Sequence, residues 1–248
     1  MALPAGVLRR VALRTFLLQA TWNYERQQGL GWAWCLQPVL QHLYPRGETR
    51  TARLAEHTAY FNTQPTLASV ALGAAAGLEE ERATGTGVDA ETMARAKGVL
   101  GSALAALGDR LFWFTLRPFA ACFGLLFAAR GSWIGAALLW ASYNAVHLPM
   151  RVQGVSWGYR AGPAVLAHGL RSALDRMISR LSVVGSMLVG VLTAMLLVPG
   201  GQPREVTFQV LLIAGLVLGL LTAARARPTP SQWALGLGAL TVASAWLR

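Results

Sequence analysis

Charge is what this 248-residue chain has least of: 13% of its residues are Asp, Glu, Lys or Arg, where roughly a quarter is usual in a soluble domain. So little charge cannot solvate a globular surface. Cysteine is nearly absent, and Cys35 and Cys122 stand far apart without ligand spacing around either, which excludes a disulfide framework and a zinc module. Acidic residues number 11 against 22 Lys plus Arg, a net charge of +11. No stretch interleaves dense basic residues with stacking aromatics, so no nucleic-acid partner is expected. Also missing are a Gly-rich phosphate loop, a G-x-S-x-G elbow and an H-E-x-x-H pair, while His42, His57, His147 and His168 are scattered; no catalytic residue, metal ligand or cofactor site is expected on this chain. Met1 to Gly6 lack a charged start followed by an apolar core, so no cleaved signal peptide is expected either.

What the sequence does have is apolar length. Hydrophobic residues make up 54% and the mean hydropathy is +0.42. A bilayer core of about 30 Å takes roughly 20 apolar residues in helix. Ser132 to Met150, Leu181 to Val198, Val206 to Ala224 and Ser231 to Leu247 qualify. Leu111 to Ala129 contains Arg117 and Pro118, which predicts a broken or re-entrant segment. Arginines concentrate in the connection Arg151 to Arg180 and in the link after Ala224, which places both in the cytoplasm, with Pro199 to Glu205 at an outer hairpin tip and the N-terminus inside. The expected fold class is therefore an all-α polytopic membrane protein. It divides into an amphipathic, interfacial helical region over 1–60, a re-entrant or buried helical region over 61–110 with a polar loop at 79–97, and a transmembrane bundle over 111–248.

In the first region Val7, Leu8, Val11, Leu18 and Trp22 share one side of a 3.6-period helix with Arg9 nearly opposite, as in a helix lying on a membrane face or a partner protein. Ala68 to Leu78 is apolar but too short to span, which suits a buried helix or half of a re-entrant hairpin. Five acids fall between Glu79 and Lys97, broken by Gly85 and Gly87, the pattern of a solvated loop.

Polar residues embedded in apolar context mark candidate binding sites. Thr21-Trp22-Asn23-Tyr24-Glu25-Arg26-Gln27 and Phe61-Asn62-Thr63-Gln64-Pro65 combine amide and carboxylate groups with aromatic rings, which suits sugar hydroxyls and a sugar's apolar face. A helix N-cap is the alternative role for Asn62. Asp109 and Arg117, beside a long apolar run, are expected to pair at the membrane boundary or to line a pathway. Asn144 and His147, three residues apart, form a weaker polar stripe on one helical side.

Taken together these stretches resemble the IID membrane component of the mannose-fructose-sorbose family of sugar phosphotransferase systems. The resemblance covers most of the chain. It rests on Gln19 to Arg26 with Gly29-Leu30-Gly31, on Pro38, Leu43-Tyr44-Pro45 and Phe61 to Pro65, and on Leu78-Glu79-Glu80, Gly108-Asp109, Phe112-Trp113, Arg117-Pro118, Gly154-Val155 and Gly158-Tyr159.

The resemblance implies a subunit of the bacterial inner membrane that joins a IIC partner, as several IIC-IID pairs, to bind and translocate a hexose of the mannose class. Phosphate passes through histidines of the IIA and IIB components, and none is phosphorylated on the IID chain. It implies Asn62 as the first sugar contact, with Phe61 and Gln64 near it and Asn23 and Glu25 behind. Family members usually show Gly-Asp-Pro where this chain has Gly108-Asp109-Arg110, a departure expected to put a bulky cation in a loop. That departure motivates an alternative, a diverged regulatory or scaffold membrane protein without transport. A proton- or ion-coupled carrier using Asp109 and Arg117 is a third reading, poorly served by so few carboxylates.

Overall fold

A computed structural model describes residues 2–197 except Arg46 and His168. The expected spans 206–224 and 231–247 and the link 199–205 lie outside the described residues. The chain forms two compact units, residues 1–181 and residues 182–248. Among the described residues there is no strand beyond two isolated bridges. The helices are α1 (Ala5–Arg14), α2 (Gly29–Leu43), α3 (Glu48–His57), α4 (Ala68–Ala83), α5 (Ala90–Leu111), α6 (Arg117–Ala128), α7 (Ile134–Ala161) and α8 (Leu170–Leu197).

The amphipathic front is shorter than its periodicity suggests. Val7, Leu8 and Val11 of α1 and Leu18 beyond it are buried, but α-helix stops at Arg14 and a 3-10 turn follows over Thr15–Leu17. The change of pitch swings Trp22 out of the expected face, and it is 41% exposed against the edge of Tyr24.

At the centre of the first unit lies α4, whose residues Ala68 to Ala76 are buried throughout. It packs along α7 through small residues: a Cβ on Gly73 would run into the carbonyl of Val155, one on Gly158 into that of Val70, and one on Gly154 into the Ser69 hydroxyl. Small residues let two helix backbones approach where apolar packing alone must hold them. Arg151 of α7, 8% exposed, donates to the backbone carbonyl of Thr15 and lies over the Phe16 ring. The expected cytoplasmic connection from Arg151 to Arg180 is thus mostly helix outside 162–169, and one of its cations packs α7 against the 3-10 turn that follows α1.

Nor does the chain break at Pro118. α5, a π-helical turn over Phe112–Leu116 and α6 form one continuous helix, Ala90–Ala128, which among the described residues is the one helix with the length and apolar content to cross a bilayer. Proline lacks the N–H that would meet the carbonyl four residues back, and a widened turn absorbs the defect. The Thr115 hydroxyl donates to the Arg110 carbonyl at 2.7 Å, satisfying a backbone group within that turn. Because the helix is continuous, Gly108-Asp109-Arg110 is helical and not a loop, and Arg110 reaches Asp175 at 3.2 Å. The expected span 132–150 lies in α7, and that at 181–198 is helical as far as Leu197.

The polar loop expected at 79–97 is also mostly helix. Only 84–89 lies outside α4 and α5, and both ends of the stretch are buried, Glu79 at 0% and Lys97 at 7% exposure. Their charges find partners in segments 20 to 40 residues away, where the local density of charge gives no hint of them.

Candidate functional site

The two polar motifs meet in space. After α1 the chain turns back on itself, with Asn23 and Gln27 exchanging backbone hydrogen bonds. Phe61 then pairs alongside, its N–H donating to the Arg26 carbonyl and its carbonyl accepting from the Gln28 N–H at 2.8 Å. The Gln28 side chain, 1% exposed, fastens the pair: its Nε2 donates to the Thr63 carbonyl at 2.7 Å and its Oε1 accepts from the Thr63 N–H at 3.2 Å. Gln28 is a positioning residue that the sequence reading passes over, although it adjoins the first motif.

This pairing holds Phe61 and Asn62 at the edge of a cleft of about 550 Å³ between the end of α3 and the first turns of α5. Phe61 is 2% exposed, its ring centroid 4.1 Å from that of Trp32. Asn62 is exposed and lines the cleft, and its side chain makes no hydrogen bond among the described residues. It does not cap α4. Gln64 instead braces the turn that leads into α4, its Oε1 accepting from the backbone N–H groups of Thr66 at 2.8 Å and Leu67 at 3.0 Å. With Gln64 only 3% exposed and its amide committed to the turn ahead of α4, the side chain shapes the motif from behind. Gly101 and Gly108, seven residues apart on α5, make the room: a Cβ on the first would lie 3.1 Å from the Phe61 ring, and one on the second 2.5 Å from the Gln64 Cβ.

The remaining predicted residues lie elsewhere. Asn23 uses its amide within its own turn, accepting from the Arg26 N–H at 2.8 Å and donating to the Thr21 carbonyl at 3.3 Å. Glu25 is 82% exposed beside Arg26. Asp109 and Arg117 do not pair: the Arg117 guanidinium lies 5.4 Å from the Trp113 ring, and Asp109 makes no ion pair among the described residues. His147 of the weaker stripe does reach the motif, meeting the Thr66 hydroxyl at 2.9 Å, whereas Asn144 bonds to its own helix.

Beneath the cleft lies a buried polar chain. Trp32 Nε1 donates to His57 Nδ1 at 3.2 Å, and His57 Nε2 faces Glu79 Oε1 at 3.1 Å. An indole N–H can only donate, so Nδ1 accepts and the imidazole carries its proton on Nε2, donating to the carboxylate. Tyr44 donates to the second Glu79 oxygen at 3.1 Å. Arg82 approaches Glu79 at 3.4 Å and Glu56 at 2.7 Å, and Arg53 completes Glu56 at 2.8 Å. Burial works to raise the Glu79 pKa, but the His57 hydrogen bond, Arg82 and Tyr44 outweigh it and hold the group below the ordinary carboxylate value. The same burial and the neighbouring Glu79 push the Tyr44 phenol upward.

A charge-poor chain that is helical throughout its described elements, with small-residue helix contacts and a span-length apolar helix, has the features of a helical membrane protein. Within that class the chain belongs to the mannose/fructose/sorbose family of phosphotransferase-system IID components, whose family model matches residues 2–202. It is similar to the mannose-specific EIID component of Escherichia coli strain K12, 36% identical over 186 residues that cover 75% of this chain and 66% of that one. The sorbose-specific EIID component of Klebsiella pneumoniae is 34% identical over 187 residues, covering 75% of this chain and 68% of its own. The chain thus spans about two thirds of the length of these relatives. Among solved structures it is similar to a chain in the cryo-electron-microscopy structure of the mannose transporter ManYZ in complex with microcin E492, with TM-score 0.63, 28% identity and coverage of 99% of this chain and 97% of that one. It is also similar to a chain described as a membrane protein, with TM-score 0.73, 29% identity and coverage of 100% and 98%.

Proposed function

We propose that this chain is the IID subunit of a multi-pass sugar transporter of the bacterial inner membrane, its N-terminus cytoplasmic. With a IIC partner it binds and translocates a hexose of the mannose class, while IIA and IIB phosphocarriers deliver phosphate to the entering sugar, and several IIC-IID pairs assemble together. The observation that carries this reading is exposed Asn62 at the edge of a cleft of about 550 Å³, its amide without a hydrogen-bond partner among the described residues. Hydroxyl groups need paired donors and acceptors, which a carboxamide supplies, and Phe61 fixes that amide by packing on Trp32. Asn62 is the proposed contact, Phe61 and Gln64 hold its backbone, and Asn23 and Glu25 belong to the turn that backs it. Asp109 and Arg117 act in helix placement. Arg110, the departure that motivates a scaffold without transport, is accommodated as an exposed helical residue paired with Asp175, which favours the transporting reading.

The test is reconstitution of the IIC and IID chains in vesicles with the IIA and IIB components and phosphoenolpyruvate. The expected result is accumulation of mannose-class hexose phosphate that disappears when this chain is omitted. Equal accumulation without it contradicts the proposal.

A further inference from the structure

Of the 22 basic side chains in this protein 21 are arginine, and the single lysine is Lys97. It lies on the wall of the same cleft, 7% exposed, one helical turn from Gly101. Its Nζ donates to the carbonyls of His57 at 3.1 Å and Ala59 at 2.9 Å, groups at the end of α3 where the helix dipole favours a cation. The Trp32 and Phe61 ring centroids lie 5.4 and 5.7 Å from it. Among the described residues no carboxylate pairs with it, and Glu56 and Glu79 are engaged by Arg53, Arg82 and His57.

Closing the end of α3 accounts for two of the three ammonium donors. Among the described residues the third N–H has no partner and the buried charge no anion, which is costly unless the cleft supplies an acceptor. A compact ammonium with rotatable donors suits a slot between two rings and two carbonyls in a way that a planar guanidinium does not, and a chain built on arginine keeps lysine here. Glu56 also lines the cleft but is held by Arg53 and Arg82, and the other polar groups lining it with Lys97 include the neutral residues Asn62, Tyr60 and Ser102, which match a polyol better than a second charge.

We infer that Lys97 is a ligand contact whose third N–H donates to a hydroxyl oxygen of the hexose bound in the cleft that Asn62 also lines. The inference rests on the hexose reading above and adds a specificity-determining residue to it. It is tested by direct binding to the assembled IIC-IID complex of the preferred hexose and its mono-deoxy analogues. In the unaltered complex one analogue binds roughly 10- to 100-fold more weakly, the size expected for a charge-assisted hydrogen bond. In Lys97→Gln the parent hexose falls by a similar factor and that analogue falls no further, because the two losses remove the same interaction. Lys97→Arg, which keeps a cation at the end of α3, is expected to change the ranking of the analogues. Should neither variant assemble, the unaltered protein still decides: amine acylation followed by mass spectrometry reads its one lysine, and saturating hexose is expected to slow that acylation several-fold. Identical deoxy penalties in variant and parent, or an acylation rate indifferent to hexose, overturn the contact. Absence of hexose binding by the unaltered complex is a distinct result, which overturns the reading beneath it.

Discussion

Asn62→Ala in the assembled transporter is expected to lower hexose affinity by roughly 10- to 100-fold, the loss that follows when a polar ligand group is left without its partner in a desolvated site. The thermal midpoint should stay where it was. Asn62 is exposed and its side chain makes no hydrogen bond among the described residues, so truncating it removes no contact seen there. Uptake and phosphorylation of each accepted hexose, together with a melting curve of the same preparation, separate the two effects. Loss of stability with unchanged affinity would reverse the assignment of Asn62 and make it a structural residue.

Glu79→Ala is expected to act in the opposite way, costing about 3–5 kcal/mol of stability, as when one partner of a buried charged network is removed. His57, Tyr44 and Arg82 would all lose an acceptor at once, inside a chain segment where Glu79 is 0% exposed. The altered chain should accumulate poorly in membranes and melt at lower temperature. Acid gives an independent check. Because the folded-state pKa of Glu79 is held below its ordinary value, its carboxylate stabilises the fold above the unfolded-state value and that contribution is lost as pH falls through the folded one. Melting temperature should therefore drop on acidification below about pH 4 in the parent, and less steeply in Glu79→Gln. A flat response in both, or normal accumulation of Glu79→Ala, would show that the network is dispensable.

The contrast between these residues shows what a sequence makes legible. Phe61 to Pro65 is visible because amide and aromatic groups interrupt a long apolar context, although its position at a cleft depends on pairing with Arg26 and Gln28, some 35 residues away. Val7, Leu8 and Val11 are equally visible, since one helix face repeats every 3.6 residues. Trp22 is misplaced because a 3-10 turn after Arg14 changes the pitch, and nothing in Thr15-Phe16-Leu17 signals it. Glu79 and Lys97 are misread for a deeper reason. Charge density is a local property, whereas the compensation of a buried charge comes from His57, Tyr44 and two carbonyls that only the fold brings near. One signal was nonetheless available: a lone lysine among 21 arginines, followed by glycines at 98 and 101. Pro118 misleads in the same way, because proline predicts a break and the widened turn at Phe112–Leu116 prevents one.

All of this depends on Asn62 meeting sugar in a site shared with a second chain. The direct measurement is a structure of the assembled IIC-IID complex determined with mannose-class hexose bound. The account predicts sugar density within hydrogen-bonding distance of the Asn62 amide, enclosed by the cleft of α3 and α5 together with the partner chain. Hexose bound wholly within the partner, with Phe61 to Pro65 open to bulk water, would contradict it.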